Sequence, residues 1–200
     1  MVTTQLGGPT PNNKTLFLVK YKLKKAGIQV AQPLSDGYLY LNGRYFTFNP
    51  QKWSRYEVDF DYFSSIKTSD LHIVCNETNI INGLIDYETA LTIVTAMRYN
   101  KPIVLLHNPY FGKTTNLLFR EIITRNLDRI QIIDLSTMPS TSLAAAINDV
   151  PKTVSYALTE NEKALINSHL KEHFRHLLQP AKKFKLYKLE RAHRASTRPV

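Results

Sequence analysis

The chain has 200 residues, of which 43% are apolar and 21% charged, and its formal net charge is +10. This length allows one domain with an appendage and enough apolar residues to bury a core. The single cysteine, Cys75, excludes a disulfide framework and a thiolate-rich metal site. No apolar run approaches the roughly 20 residues of a membrane span, and no secretory leader is recognisable. The sequence therefore predicts a soluble, cytoplasmic protein without a membrane partner.

The positive charge is concentrated at the C-terminal end. Residues 181–200 contain seven lysines and arginines against Glu190 alone, a net charge of +6, which leaves +4 for residues 1–180. Such a tail could contact nucleic acid or an acidic membrane surface. A solvated tail is the commoner outcome for terminal residues, and it is the interpretation that we favour.

The N-terminal region reads as strand, glycine turn, helix and strand. Residues 2–6 form a short candidate strand, and residues 28–30 form the second one. The helix between them places its apolar residues on one face and ends at Gly27, the expected C-terminal position for glycine. Gly7 and Gly8 precede this helix, where a plain turn and a close backbone approach to a ligand are both consistent with the pattern.

A long connection then leads to the central strand. Aromatic residues alternate on either side of Asn42 and Gly43, which predicts a small hairpin, although a flap over the sheet is an alternative. Residues 53–67 have the character of a helix and include Asp61. Any single carboxylate in this helix is more simply explained as part of a solvent-exposed face.

The strongest pattern is a strand–loop–helix–strand unit over residues 69–106. Two apolar runs, residues 71–75 and 102–106, flank a helical run that begins after Asp86, a typical N-cap residue. Two strands joined by a helix form a parallel crossover. Ligands bind beyond the carboxyl ends of such strands, so residues 76–86 are the predicted functional loop. Cys75 and His72 lie within an apolar run and are predicted to be buried.

The rest of the chain continues the alternation. The next predicted elements are, in order, a loop at residues 107–113, a helix at 117–123, a strand at 130–135 and a helix at 140–148. Beyond Pro151, Thr159 and Glu162 form a capping box ahead of an amphipathic stretch over residues 158–178. We therefore predict an α/β domain, residues 1–150, with a parallel sheet. Residues 151–200 are predicted to form a helical, basic extension.

Several segments together resemble the nucleoside 2-deoxyribosyltransferase family over about residues 2–136. They are Ile66-Lys67-Thr68-Ser69-Asp70, the loop with Asp86, the helix ending in Asn100-Lys101-Pro102-Ile103, and Gly112-Lys113-Thr114-Thr115-Asn116-Leu117-Leu118. The resemblance implies a flavodoxin-like or Rossmann-like parallel sheet with helices on both faces. It also implies chemistry at an N-glycosidic bond. In the family a glutamate attacks the anomeric carbon of a deoxynucleoside, and a second base or water then accepts the sugar.

The resemblance assigns roles to particular positions. Asp86 matches an aspartate that contacts the sugar or base. The other implied substrate-binding positions are Gln5, Gly7, Gly8, Asp61 (one position out of register) and Asn116, which in the family reaches a neighbouring subunit.

The nucleophile position departs from the family pattern. Thr92 stands where the family has its glutamate, and a threonine hydroxyl is a poor nucleophile without an adjacent base. Glu88 lies one helical turn earlier on the same face, so it is a candidate replacement. The alternative is that Glu88 complements the positive end of the helix dipole.

Two functions follow as expectations. The first is an enzyme that transfers or hydrolyses the deoxyribosyl group of a deoxynucleoside or deoxynucleotide, with a free nucleobase as second partner. The second is a catalytically degenerate nucleoside-binding or scaffolding protein of the same fold. The family also implies a homo-oligomer. The sequence calls for no cofactor and no metal, and the histidines at 169, 173 and 176 are predicted to form a solvent-exposed face.

Overall fold

A computed structural model describes residues 2–7, 13–25, 27–30, 38–41, 44–47, 66–77, 80–133 and 140–173. The strands are β1 (Thr3–Gly7), β2 (Gln29–Val30), β3 (Tyr38–Leu41), β4 (Arg44–Thr47), β5 (Leu71–Val74), β6 (Leu84–Ile85), β7 (Ile103–Leu105), β8 (Tyr110–Phe111) and β9 (Gln131–Ile132). The helices are α1 (Asn13–Lys25), α2 (Tyr87–Arg98), α3 (Leu117–Arg125), α4 (Ser140–Asn148) and α5 (residues 160–173).

Five parallel strands form the central sheet in the order β2-β1-β5-β7-β9. Counting only these strands along the chain, the order is 2-1-3-4-5, which defines a flavodoxin-like doubly wound sheet. The predicted α/β fold is confirmed. The strand order reverses between β1 and β5, where Gly7 is paired with Val74 at the carboxyl ends of the two strands.

Helices cover both faces because the central strands are apolar on both sides. On one face, α2, α3 and α5 pack over a cluster that includes Val74, Leu105 and Phe119. On the other face, α1 and α4 enclose a cluster that includes Leu23, Ile73 and Cys75. Successive strand residues point to opposite faces, so Ile73 and Val74 belong to different clusters.

Residues 151–173 are the described part of the C-terminal extension, and they pack on the face of the sheet that α2 and α3 cover. Tyr156 and Ile166 are buried in its core, and the Tyr156 hydroxyl donates a hydrogen bond to the Lys101 carbonyl over 3.0 Å. The capping box is confirmed, because Thr159 and Glu162 exchange hydrogen bonds of 2.8 and 3.2 Å. The basic residues 181–200 lie outside the described part of the chain.

The two loops at the carboxyl edge contain more structure than the sequence indicated. Within the segments 76–86 and 107–113, β6 and β8 pair in parallel as a separate two-stranded sheet. Gly83 makes this possible because its φ is +86° and a Cβ there would lie 2.0 Å from the Asn108 carbonyl oxygen. The predicted hairpin is confirmed as the antiparallel pair β3–β4.

Two other predictions have different outcomes. Of the predicted helix at residues 53–67, the structure describes only residues 66–67, and the observed helical residues run to 68. The solvent-exposed histidine face is wrong for His169. Its ring centroid lies 4.9 Å from that of Phe119, so the imidazole packs between α5 and α3. Among the described residues, no helix has the length and apolar character needed to cross a membrane.

Candidate functional site at the carboxyl edge of the sheet

The topological switch point of the sheet lies between the ends of β1 and β5. Gly7 ends β1 next to Val74, and Cys75 and Asn76 continue beyond β5 into the loop. In a doubly wound sheet, the connections that leave these two strands run to opposite faces of the sheet, and the space between them can accept a ligand. Gly7 therefore occupies the predicted location, whereas Gly8 lies outside the described residues.

Asn76 fixes the loops that follow β5 and β7 to each other. Its side-chain amide donates to the His107 carbonyl over 2.8 Å, and its Oδ1 accepts from the His107 backbone N–H over 3.0 Å. Both residues are buried, so these bonds satisfy polar groups that would otherwise be costly to desolvate. The carboxyl edge is thereby held in one geometry.

A histidine–carboxylate pair lies beside this clamp. His107 Nε2 is 3.4 Å from Glu77 Oε2, and the side chains are 9% and 26% exposed. An imidazole next to a carboxylate can hold a proton on the nitrogen that faces the carboxylate, or donate that proton to a ligand. Sequence reasoning did not select this pair. The available signal was that each residue comes within three positions of the end of a central strand.

Asp86 and Glu88 both lie at the N-terminus of α2. Asp86 is the N-cap, as predicted, and its Oδ1 accepts a hydrogen bond of 2.8 Å from the Thr89 N–H. Glu88 is half-buried in the first turn, where its charge also complements the helix dipole. One carboxylate oxygen of Asp86 thus has a structural task in addition to any contact with a ligand.

Thr92 lies in the protein interior and is only 2% exposed. Its hydroxyl donates to the Thr89 carbonyl over 2.8 Å, and its oxygen lies 3.2 Å from His72 Nε2. Because the single hydroxyl proton goes to the carbonyl, the Thr92 oxygen must accept from His72 Nε2–H. The imidazole therefore donates to this hydroxyl and does not act as the base that would activate it.

Asn116 is the N-cap of α3, and its Oδ1 accepts from the backbone N–H of Leu118 and Phe119 at 2.9 and 3.4 Å. The preceding Thr115 hydroxyl donates to the Ile85 carbonyl, which ties this loop to β6. Gln5 is in register with His72 in the middle of the sheet, two residues before β1 ends. Asp61 lies outside the described residues.

Gly7, at the end of β1, and Asp86, Glu88 and Asn116, at the N-termini of α2 and α3, thus all lie at element ends on this edge, while Thr92 lies in the core. An open cleft of about 760 Å³ is present at the opposite edge, and neither Asp86 nor Glu88 lines it. Within the described ranges, no group of three histidine, cysteine, aspartate or glutamate side chains is arranged to hold a metal ion.

The fold defines a flavodoxin-like α/β protein whose topological switch point lies between β1 and β5. No family model matches this chain, and no curated protein matches it.

Proposed function

We propose that the protein binds a deoxynucleoside or deoxynucleotide at the carboxyl edge of its sheet and lacks the covalent chemistry of deoxyribosyltransferases. The ordered segments that resemble that family support the choice of ligand. The switch point in the strand order supports the location, because ligands of this fold class bind there. Polar side chains at this edge include those of Asp86, Glu77 and His107.

The observation that carries the proposal is the state of Thr92. At the position of the family nucleophile stands a hydroxyl that is 2% exposed and hydrogen-bonded on both sides. An attacking group must reach the anomeric carbon within about 3–3.5 Å. A buried hydroxyl whose O–H is engaged in a hydrogen bond to a helix carbonyl does not meet this requirement.

A second candidate function keeps the chemistry but moves it to Glu88, which is half-buried in the first turn of α2. A Glu88 carboxylate oxygen would form a bond to C1′ while the C1′–N bond breaks. The bond electrons would leave with the base, which would take a proton from His107. Water or a second base would then displace Glu88 from C1′.

One pair of measurements separates these functions. Deoxyinosine and adenine are incubated with the protein, and deoxyadenosine, deoxyribose and free hypoxanthine are quantified by chromatography. Binding of deoxyadenosine and its 5′-monophosphate is measured by isothermal titration calorimetry. We expect saturable binding without turnover.

Turnover that disappears in Glu88→Gln but persists in Glu121→Gln, an exposed residue of α3, would establish the second candidate. The absence of binding to any deoxynucleoside or deoxynucleotide would contradict both functions.

A further inference from the structure

A cleft lies at the amino edge of the sheet, opposite the edge with the topological switch point. Its volume is about 760 Å³, within the range of small-molecule sites. Its floor is apolar and formed where β1, β5 and β7 begin, with Val2, Leu71 and Pro102. One wall is the end of α2, and the other is the chain that leaves α4, including Val150 and Lys152.

The α2 wall has a fixed backbone. Asn100 adopts φ +52°, its N–H donates to Met97 O, and the Lys101 N–H donates to Ala96 O, each over 2.9 Å. This pair of bonds is a Schellman motif, which ends a helix in a defined conformation. The Lys101 carbonyl accepts a hydrogen bond from the Tyr156 hydroxyl, so both the backbone N–H and the backbone carbonyl of Lys101 are hydrogen-bonded.

The opposite wall is anchored to the same body. Arg129 donates to the Ser155 carbonyl, and the Asn126 Oδ1 accepts from the Ala157 N–H over 2.7 Å. These contacts follow directly after the cleft-lining residues 150–153. The cleft is therefore preformed, and a ligand would not have to order its walls.

The charges of the cleft favour an anion. Lys101 and Lys152 line it, and the structure gives the Lys152 ammonium no hydrogen bond or ion pair with any described residue. Among the described lining residues the one carboxylate is Asp70, which accepts hydrogen bonds from the Thr3 N–H and hydroxyl at 2.7 and 2.8 Å and keeps its negative charge. The two lysines therefore give the described lining a net charge of +1. Arg98 and Lys67 lie nearby, within 5.1 and 5.9 Å of the Tyr99 ring centroid. Arg98 in the last turn also offsets the negative end of the α2 dipole.

We propose that this amino-edge cleft binds an organic phosphate monoester with a flat ring. The ring rests on the apolar floor, and the phosphate lies between Lys101 and Lys152. Lysine ammonium groups bind phosphate as point charges, and an apolar floor adds affinity for a ring that inorganic phosphate lacks. This site does not depend on the proposed carboxyl-edge function.

The test uses the ¹⁵N-labelled full-length chain and phenyl phosphate, with inorganic phosphate and phenol as separate arms. We expect phenyl phosphate to shift the amide signals of Asn100, Lys101 and Thr153 in a saturable way. Its affinity, measured from these shifts, should be higher than that of inorganic phosphate or of phenol. Thymidine 5′-monophosphate against thymidine then shows whether a nucleotide is an accepted source of the phosphate.

Two variants and a matched control decide the outcome. Lys101→Met keeps the aliphatic stem, and Lys152→Glu alters an exposed residue, so neither should unfold the protein. We expect each to weaken phenyl phosphate binding by roughly tenfold or more, as expected for loss of a charge-assisted contact. Lys113→Glu, exposed at the carboxyl edge, makes the same charge change as Lys152→Glu and should leave binding intact. Equal weakening by Lys113→Glu, shifts confined to the carboxyl edge, or no saturable shift would overturn the proposal.

Discussion

His72 Nε2 on β5 and Thr92 Oγ1 on α2 are 3.2 Å apart and buried between the sheet and the helix. The contact joins two polar side chains that the chain separates by 20 residues. It gives the Thr92 hydroxyl a structural partner, and Thr92 is the residue on which the proposed loss of covalent chemistry depends. Function and stability can therefore be tested at the same residue.

Replacing Thr92 with valine should destabilise the fold. The shape is nearly unchanged, but the buried His72 N–H loses its acceptor, which costs roughly 1–3 kcal/mol. Urea unfolding measures this difference. Thr95→Val is the matched control, because Thr95 is on the same helix, equally buried, and bonds only to the Leu91 carbonyl of its own helix. A change within about 0.5 kcal/mol is expected there. Equal costs for the two variants would show that the His72 contact contributes nothing.

Gly83→Ala should be far more damaging than Gly27→Ala. Both glycines have positive φ, +86° and +73°, so each alanine incurs about 1–2 kcal/mol of backbone strain. Only at Gly83 would the new Cβ also meet a backbone atom, the Asn108 carbonyl oxygen at 2.0 Å. We expect a loss above about 3 kcal/mol at Gly83 from the combined strain and clash. Thermal and urea unfolding check both values, and similar losses would contradict the proposed contact between the two edge loops.

Asp70 should contribute stability at neutral pH that disappears in acid. Hydrogen bonds from the Thr3 backbone N–H and then from its hydroxyl hold the pKa of Asp70 below its ordinary value of 3.8. A carboxyl group whose pKa is lower in the folded than in the unfolded protein stabilises the fold when the pH is above the unfolded-state pKa. This contribution is lost as the pH falls through the folded-state pKa. Asp70→Asn should therefore be less stable than the parent at pH 7, and the difference should shrink below about pH 4. Asp128→Asn, with 74% of the carboxylate side chain exposed, is the control. A difference at Asp70 that does not vary with pH would contradict the Thr3 interaction.

The Cys75 thiol should be unreactive in the folded protein. Burial, with a smaller contribution from the charge of Glu77, raises its pKa to about 12. The thiolate is the reactive form, and the side chain is fully buried, so both access and ionisation oppose alkylation. Iodoacetamide at pH 8 should leave the thiol free in native protein and modify it completely in guanidinium chloride, as measured by mass spectrometry. Rapid native modification would mean that the end of β5 opens readily.

The sequence determined the local structure and the fold class. The β-branched run at Leu71–Val74, the N-cap Asp86 and the capping box at Thr159 each depend on neighbours within a few residues, so they could be recognised without coordinates. The alternation of apolar strands and amphipathic helices likewise indicated an α/β domain with a parallel sheet, and the structure supplied the doubly wound strand order.

Tertiary structure alone decided the state of the site. Thr92 and His72, and likewise Glu77 and His107, are brought together only by the β5–β7 pairing and the packing of α2 on the sheet. Contacts between distant residues depend on strand register and helix rotation, which no local pattern encodes. The cleft between Lys101 and Lys152 has the same origin, because its walls come from chain segments about 50 residues apart that meet only when the extension docks on the core.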